Sequence, residues 1–213
     1  MNSRIVVMMC LALVTLAACV DDPDKAEEHY TLGVNFQTAG QFDEAIVEYT
    51  KAIDALPVQY QSYFNRGLVR AAQGNLTLAI GDFDTAIKYY PEYADAFVNR
   101  GLAFGGQGKH NRAIEDFDKA LEFEPDVSDT HYSKGAAHLA ISSFRRARNS
   151  FDRAIAIDNT RGNYYAFRAL ARMGLGETDA ANADIKSAVD LGFDAGLLSE
   201  QVDNMRSRSP ASP

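Results

Sequence analysis

A period of 34 residues constrains this chain more than any other feature. Alanines stand at Ala45, Ala79, Ala113, Ala147 and Ala181, each 34 apart, and a second series runs Ala52, Ala86, Ala120, Ala154 and Ala188. A third reads Gly33, Gly67, Gly101 and Gly135, then Ala169. Large residues recur as Tyr49, Phe83, Phe117 and Phe151, then Ile185, and Pro57, Pro91 and Pro125 close the first three units. Self-similarity at such a period marks a stacked array, in which one unit cannot bury its apolar face alone and neighbours complete a continuous core.

Within a unit, two apolar-periodic stretches of about a dozen residues predict a pair of helices. A turn separates them at Gly40, Gly74, Gly108 and Gly176, with Ser142 in the fourth unit. A glycine inside a helix costs about 1 kcal/mol against alanine. The repeated helical glycine therefore implies close approach of the paired helix, with the first alanine series opposite it. The second alanine series would admit the next unit's helix, and the prolines would end each second helix. The pattern frays at Asn159, where a proline is expected, and at Ala169 and Arg172 in the last unit.

These residues resemble the tetratricopeptide repeat (TPR) pattern of an aromatic, Leu-Gly, a further aromatic, Ala, an aromatic, Ala and Pro. The first unit reads His29, Leu32, Gly33, Phe36, Ala45, Tyr49, Ala52 and Pro57. The resemblance implies an all-α, right-handed solenoid of five helix-turn-helix units over residues 26–59, 60–93, 94–127, 128–161 and 162–195. Leu197, Leu198, Val202 and Met205 are spaced as one apolar stripe, which predicts a capping helix over residues 194–206 and a flexible tail over 207–213.

The N-terminus has a different character. After Arg4, residues 5–18 are uncharged and mostly apolar. That run is shorter than the roughly 20 residues needed to span a bilayer and matches a secretory signal. It ends Leu16-Ala17-Ala18-Cys19, which resembles the lipobox of bacterial lipoproteins. The resemblance implies a signal peptide over 1–18 and diacylglycerol and acyl chains on Cys19, enough to hold a protein on a membrane. Val20, where aspartate tends to retain such proteins in the inner membrane, favours the outer membrane facing the periplasm. Residues 19–25 then read as the lipidated cysteine and a short polar linker, with 20–25 reaching about 20 Å. Cys10 lies in the discarded signal, which excludes a disulfide scaffold.

With a net charge of −8, from 29 acidic and 21 basic residues, the chain lacks the basic footprint of a nucleic-acid binder. Arg66, Arg100 and Arg168 fall at one repeat position and Asp82, Asp116 and Asp184 stand sixteen residues later. The pattern predicts a structural link between the two helices of a unit. Lys134 with Ser150, and Leu32 with Glu48, depart from it. His131 and His138 are seven apart on one helix, about 10.5 Å along its axis, too far for one zinc ion. His29 and His131 take the aromatic position that opens a unit, which predicts packing roles. Gly105 to His110 lacks the P-loop's first glycine and its Ser or Thr. No nucleophile elbow, HExxH or calcium loop occurs. The expectation is a chain that is no enzyme and carries no metal and no cofactor.

Function then falls to surface recognition. In TPR proteins the first helices line a concave groove for peptides or partner helices, and the resemblance assigns groove positions to Tyr30, Val34, Phe64, Asn65, Leu68, Val98, Asn99, Leu102 and Tyr132, with Ala136, Ala166 and Leu170 continuing the series. Asn65 and Asn99 are candidates to pair with a ligand's backbone. The basic clamp that some members use for carboxylates is missing, since no Lys or Arg occupies its fifth and sixth positions. The expected partner is a protein offering a neutral or basic segment with apolar anchors. The leading expectation is a lipid-anchored adaptor in the bacterial cell envelope. The alternative is an assembly or pilotin-like factor for a pilus, secretion or outer-membrane machine. Self-association through an exposed end is left open.

Overall fold

A computed structural model describes residues 21–208. The segment expected to be a signal peptide, Cys19 and the residues beyond 208 lie outside the described residues. Within them the chain forms eleven α-helices and no strand: α1 (Pro23–Thr38), α2 (Phe42–Ala55), α3 (Tyr60–Ala72), α4 (Leu76–Tyr89), α5 (Ala94–Gly106), α6 (His110–Phe123), α7 (Ser128–Ala140), α8 (Phe144–Ile157), α9 (Gly162–Gly174), α10 (Thr178–Asp190) and α11 (Ala195–Arg208). Each odd-numbered helix through α9 pairs with the next even one, and each even helix through α8 packs on the odd helix that follows. Odd helices also touch from unit to unit, α1 on α3 through α7 on α9, with no comparable contact between successive even helices among the described residues. The odd helices therefore line the tighter, concave side of the solenoid.

The helical glycines explain how closely the pairs approach. A Cβ on Gly33, Gly67, Gly101 or Gly135 would lie 2.6–2.9 Å from a ring carbon of Tyr49, Phe83, Phe117 or Phe151 respectively. The rings are the nearest neighbours of these glycines, and at Gly101 the Ala113 carbonyl oxygen, from the first alanine series, stands at 3.2 Å as well. All four rings are buried, as are both alanine series. The inter-helix turn needs a left-handed residue, and Gly40, Gly74, Gly108 and Gly176 supply φ of 73–79°. Ser142 takes the same role at φ 58°.

Three boundaries differ from expectation. Residues 23–25 are helix, not linker. Asp22 caps α1 by accepting the Lys25 backbone N–H at 3.0 Å, and Pro23 sits at the first helical position, where its missing N–H costs nothing. Unit four needs no proline, because Asp158 ends α8 with an Asx turn, accepting from the Thr160 N–H at 3.0 Å and the Thr160 hydroxyl at 2.7 Å. The cap, α11, packs on α9 through Leu198 and Val202, but Leu197 is 48% exposed and stands off the stripe.

Candidate functional site: the groove and the charged ladder behind it

The groove is built from the inner faces of the odd helices, where residues four apart lie one above the other. Two cavities sit side by side in its middle. One, of about 250 Å³, is lined by Val98, Leu102 and Val127 with Asp95, Glu124 and Asp129. The other, of about 280 Å³, is lined by Leu102, Phe117, Tyr132, Ala136 and His110. Leu102 and Ser133 belong to both, so the cavities form one cleft along α5 and α7. Leu102, 50% exposed, is its apolar ridge. No Lys or Arg lines either cavity, and three carboxylates do. Asp129 is partly engaged, accepting the Tyr164 hydroxyl at 2.5 Å.

The structure thus gathers Val98, Leu102 and Tyr132 at one cleft. Tyr132 is half-buried between Tyr164 and Phe167, with centroids 5.2 and 5.3 Å away, and burial pushes its hydroxyl pKa up. Tyr30, Val34 and Leu68 lie half-buried on α1 and α3, outside both cavities. Phe64 is a correction: it is 9% exposed and packs on Tyr93 and Phe83, with centroids 4.7 and 5.9 Å away, so it is core. Asn65 gives one amide N–H to the Tyr30 hydroxyl at 3.0 Å, and Asn99 turns back to the Asp95 carbonyl at 2.8 Å. One donor of each is therefore occupied by the protein itself. Ala166 and Leu170 are also corrected, since α11 covers both and the groove ends at unit four. Glu124 and Ser133 were not foreseen. Glu124 follows the end of α6, where helix-face offsets no longer apply.

Behind the groove runs a ladder of ion pairs. Arg66 reaches Asp82 with two nitrogens at 2.8 and 3.2 Å, Arg100 reaches Asp116 at 2.6 and 2.9 Å, and Arg168 reaches Asp184 at 2.6 and 2.9 Å. The expected link is present, and each arginine makes a second one backwards. Arg66 donates to Thr50, Arg100 to Asp84 and Arg168 to Asp152, at 2.9, 2.6 and 2.7 Å. Each planar guanidinium therefore ties its odd helix to the even helices on both sides. Arg70 and Arg172 add further bonds to Asp82 and Asp184, at 2.8 Å each. In unit one, Glu48 takes His29 and Lys51 instead, at 2.6 Å each, and hydrogen bonds from Lys51 and then His29 hold its carboxyl below the usual range against burial. No cluster of three metal-ligating side chains occurs among the described residues.

Two profiles of the tetratricopeptide repeat family match the chain, over residues 30–94 and 94–127. Residues 30–127 are tetratricopeptide repeats. Solved structures extend the fold likeness over most of the chain. A crystal structure of the MamA protein is 20% identical, with 89% of this chain and 98% of that one covered at a TM-score of 0.74. YrrB, described as a TPR protein with an unusual peptide-binding site, is 15% identical, with 81% and 89% covered at a TM-score of 0.72. The first TPR of Spaghetti (RPAP3), bound to the HSP90 peptide SRMEEVD, is 27% identical, with 57% and 96% covered at a TM-score of 0.56. The comparison with curated protein sequences finds no match.

Proposed function

We propose that this TPR chain is an adaptor of the bacterial cell envelope, anchored by lipid on Cys19, that binds a segment of a partner protein in its groove. The observation that carries the binding reading is the cleft around Leu102, apolar on its floor and rimmed by Asp95, Glu124 and Asp129. Such a surface favours apolar anchors flanked by neutral or basic residues, because like charges across an interface are costly. It disfavours acidic peptides such as the SRMEEVD peptide bound by the Spaghetti TPR. The peptide bound to that protein and the peptide-binding site named for YrrB support peptide recognition by this fold. The lipobox-like Leu16–Cys19 supports the anchor. Because α1 starts at Pro23, the reach from Cys19 to the first helix is at most about 14 Å. The groove would work against the membrane surface.

A photocrosslinking residue placed at Leu102 in cells tests the groove, with Val58, 54% exposed and outside both cavities, as control. The expected result is a protein captured at Leu102 and not at Val58. Its crosslinked segment should then bind at least tenfold more weakly to Leu102→Asp in a titration. Equal capture at both positions, or unchanged affinity, would remove the groove from the proposal. A fatty-acid label that persists on Cys19→Ala would remove the anchor.

A further inference from the structure

Unit four breaks the ladder, and the break leaves a cleft. In the other four units a buried carboxylate, Glu48, Asp82, Asp116 or Asp184, neutralises the cation or histidine facing it from the odd helix. The equivalent residue of unit four is Ser150, also buried. The facing residues are Lys134 and, one turn on, His138. Lys134 has as partner Asp118 of α6, at 2.5 Å, a carboxylate half exposed to solvent. His138 is 4% exposed, and its Nδ1 has no hydrogen-bond partner.

A cavity of about 380 Å³ occupies this place, between α6, α7 and α8. Lys134, His138 and His131 line it from α7, Arg146 and Arg153 from α8, and Asp118 is its one carboxylate. His131 donates its Nε2–H to the Pro125 carbonyl oxygen, 2.9 Å away, because a carbonyl only accepts. Three permanent cations against one carboxylate, with two imidazoles that gain charge on protonation, make a site for negative charge rather than for a metal ion. Exposed guanidinium groups meet phosphate oxygens in pairs. A buried imidazole nitrogen without a partner costs stability until something satisfies it.

We infer that the unit-four cleft binds a small dianionic oxyanion, a phosphate or soluble phosphate monoester, in place of the carboxylate that Ser150 lacks. This site lies on the flank of α7 away from the groove and stands independently of the groove's function. The bound dianion would accept from Lys134, Arg146, Arg153 and a protonated His138. Both imidazoles are held below their ordinary pKa, first by burial and then by Lys134, with Arg146 acting on His138 and Arg153 on His131; the Pro125 carbonyl and Asp126 oppose this at His131, and Asp118 at His138. A dianion reverses the balance and raises both.

The test is titration of the full chain with inorganic phosphate and with glycerol phosphate, at ionic strength fixed with chloride. The histidine imidazoles are followed by NMR and the heat by calorimetry. The expected result is saturable binding by at least one of the two, with the His138 pKa raised. Ser150→Asp, which restores the internal carboxylate, should weaken that binding at least tenfold while the chain melts no lower than the parent. Ser150→Ala should change it less than threefold. The double variant Arg146→Gln with Arg153→Gln, both exposed, should weaken it without altering the fold. Absence of saturable binding, an equal response to chloride alone, or unchanged affinity in Ser150→Asp or in the double variant would overturn the inference.

Discussion

Gly135 and Phe151 offer the sharpest test of how the repeat packs. A Cβ on Gly135 would stand 2.6, 2.8 and 2.9 Å from three ring carbons of Phe151. Carbon atoms in good contact sit about 3.5–4.0 Å apart, so the ring would have to withdraw by roughly 1 Å. Phe151 is fully buried, with the rings of Tyr132 and Phe167 at 5.8 and 6.1 Å, and has nowhere to go. Overpacking of this kind costs about 1–3 kcal/mol, against about 1 kcal/mol gained from alanine's helix propensity. Gly135→Ala should therefore destabilise by about 1 kcal/mol although alanine is the better helix former. Phe151→Ile should cost about 2 kcal/mol, less than the 3–5 kcal/mol of truncation to alanine. In the double variant the new methyl enters space the ring has left, which is the combination unit five carries as Ala169 and Ile185. The double variant should be as stable as Phe151→Ile, or up to about 1 kcal/mol more stable, a coupling of about 1–2 kcal/mol. Urea unfolding followed by circular dichroism gives the free energies, and amide exchange in α7 and α8 shows whether the loss is local, as expected where each repeat contacts its neighbours alone. Additivity within about 0.5 kcal/mol, or a stabilising Gly135→Ala, would refute the ring-on-glycine account.

Ser142→Gly should stabilise by about 0.5–1 kcal/mol, since a left-handed serine costs more than the extra entropy glycine loses on folding; thermal melting checks it, and no gain would mean the turn relaxes. Asp116→Asn should cost about 3–5 kcal/mol, because it strips the buried partner of Arg100, whereas Asp84→Asn, on the same arginine but half exposed, should cost about 0–1 kcal/mol; equal losses in urea unfolding would contradict the burial argument. Because burial holds His131 and His138 below their ordinary value of 6.5, the folded state binds fewer protons there than the unfolded chain; their contribution is complete above that value and is lost as pH falls through the lower folded values. Stability should therefore fall from pH 7 to pH 5, and less steeply in His138→Gln; an identical slope would show that other groups govern acid unfolding.

The fold was legible because the period records a physical unit. Ser142 in a glycine column marks a left-handed turn, and the spacing of sixteen from Arg66 to Asp82 is the distance from one helix to its partner. What could not be read were contacts made by residues outside the helix faces. Phe64 has groove spacing, yet the Tyr93 ring, from the turn before α5, closes over it. Ala166 and Leu170 have groove spacing too, and a helix beyond the last repeat covers them. The backward bonds of the ladder were hidden by chemistry. Thr50, Asp84, Asp118 and Asp152 hold one position in four units, but a threonine among aspartates does not advertise a shared partner.

A buried ion pair adds little net stability over an apolar pair, because desolvation opposes the attraction. A planar guanidinium held between two even helices nonetheless accepts few relative positions of those helices, so the ladder constrains how one unit sits on the next. Lysine at unit four carries a point charge with rotatable donors and meets a single carboxylate there. Here the constraint is weakest and unneutralised positive charge is greatest, and both follow from Lys134 and Ser150. Filling the cleft from inside with Ser150→Asp should thus tighten the stack as it abolishes anion binding. Filling it from outside with phosphate should tighten the unsubstituted chain alone. If phosphate raised the melting temperature of Ser150→Asp by as much as that of the parent, the interrupted ladder and the anion cleft would be separate features.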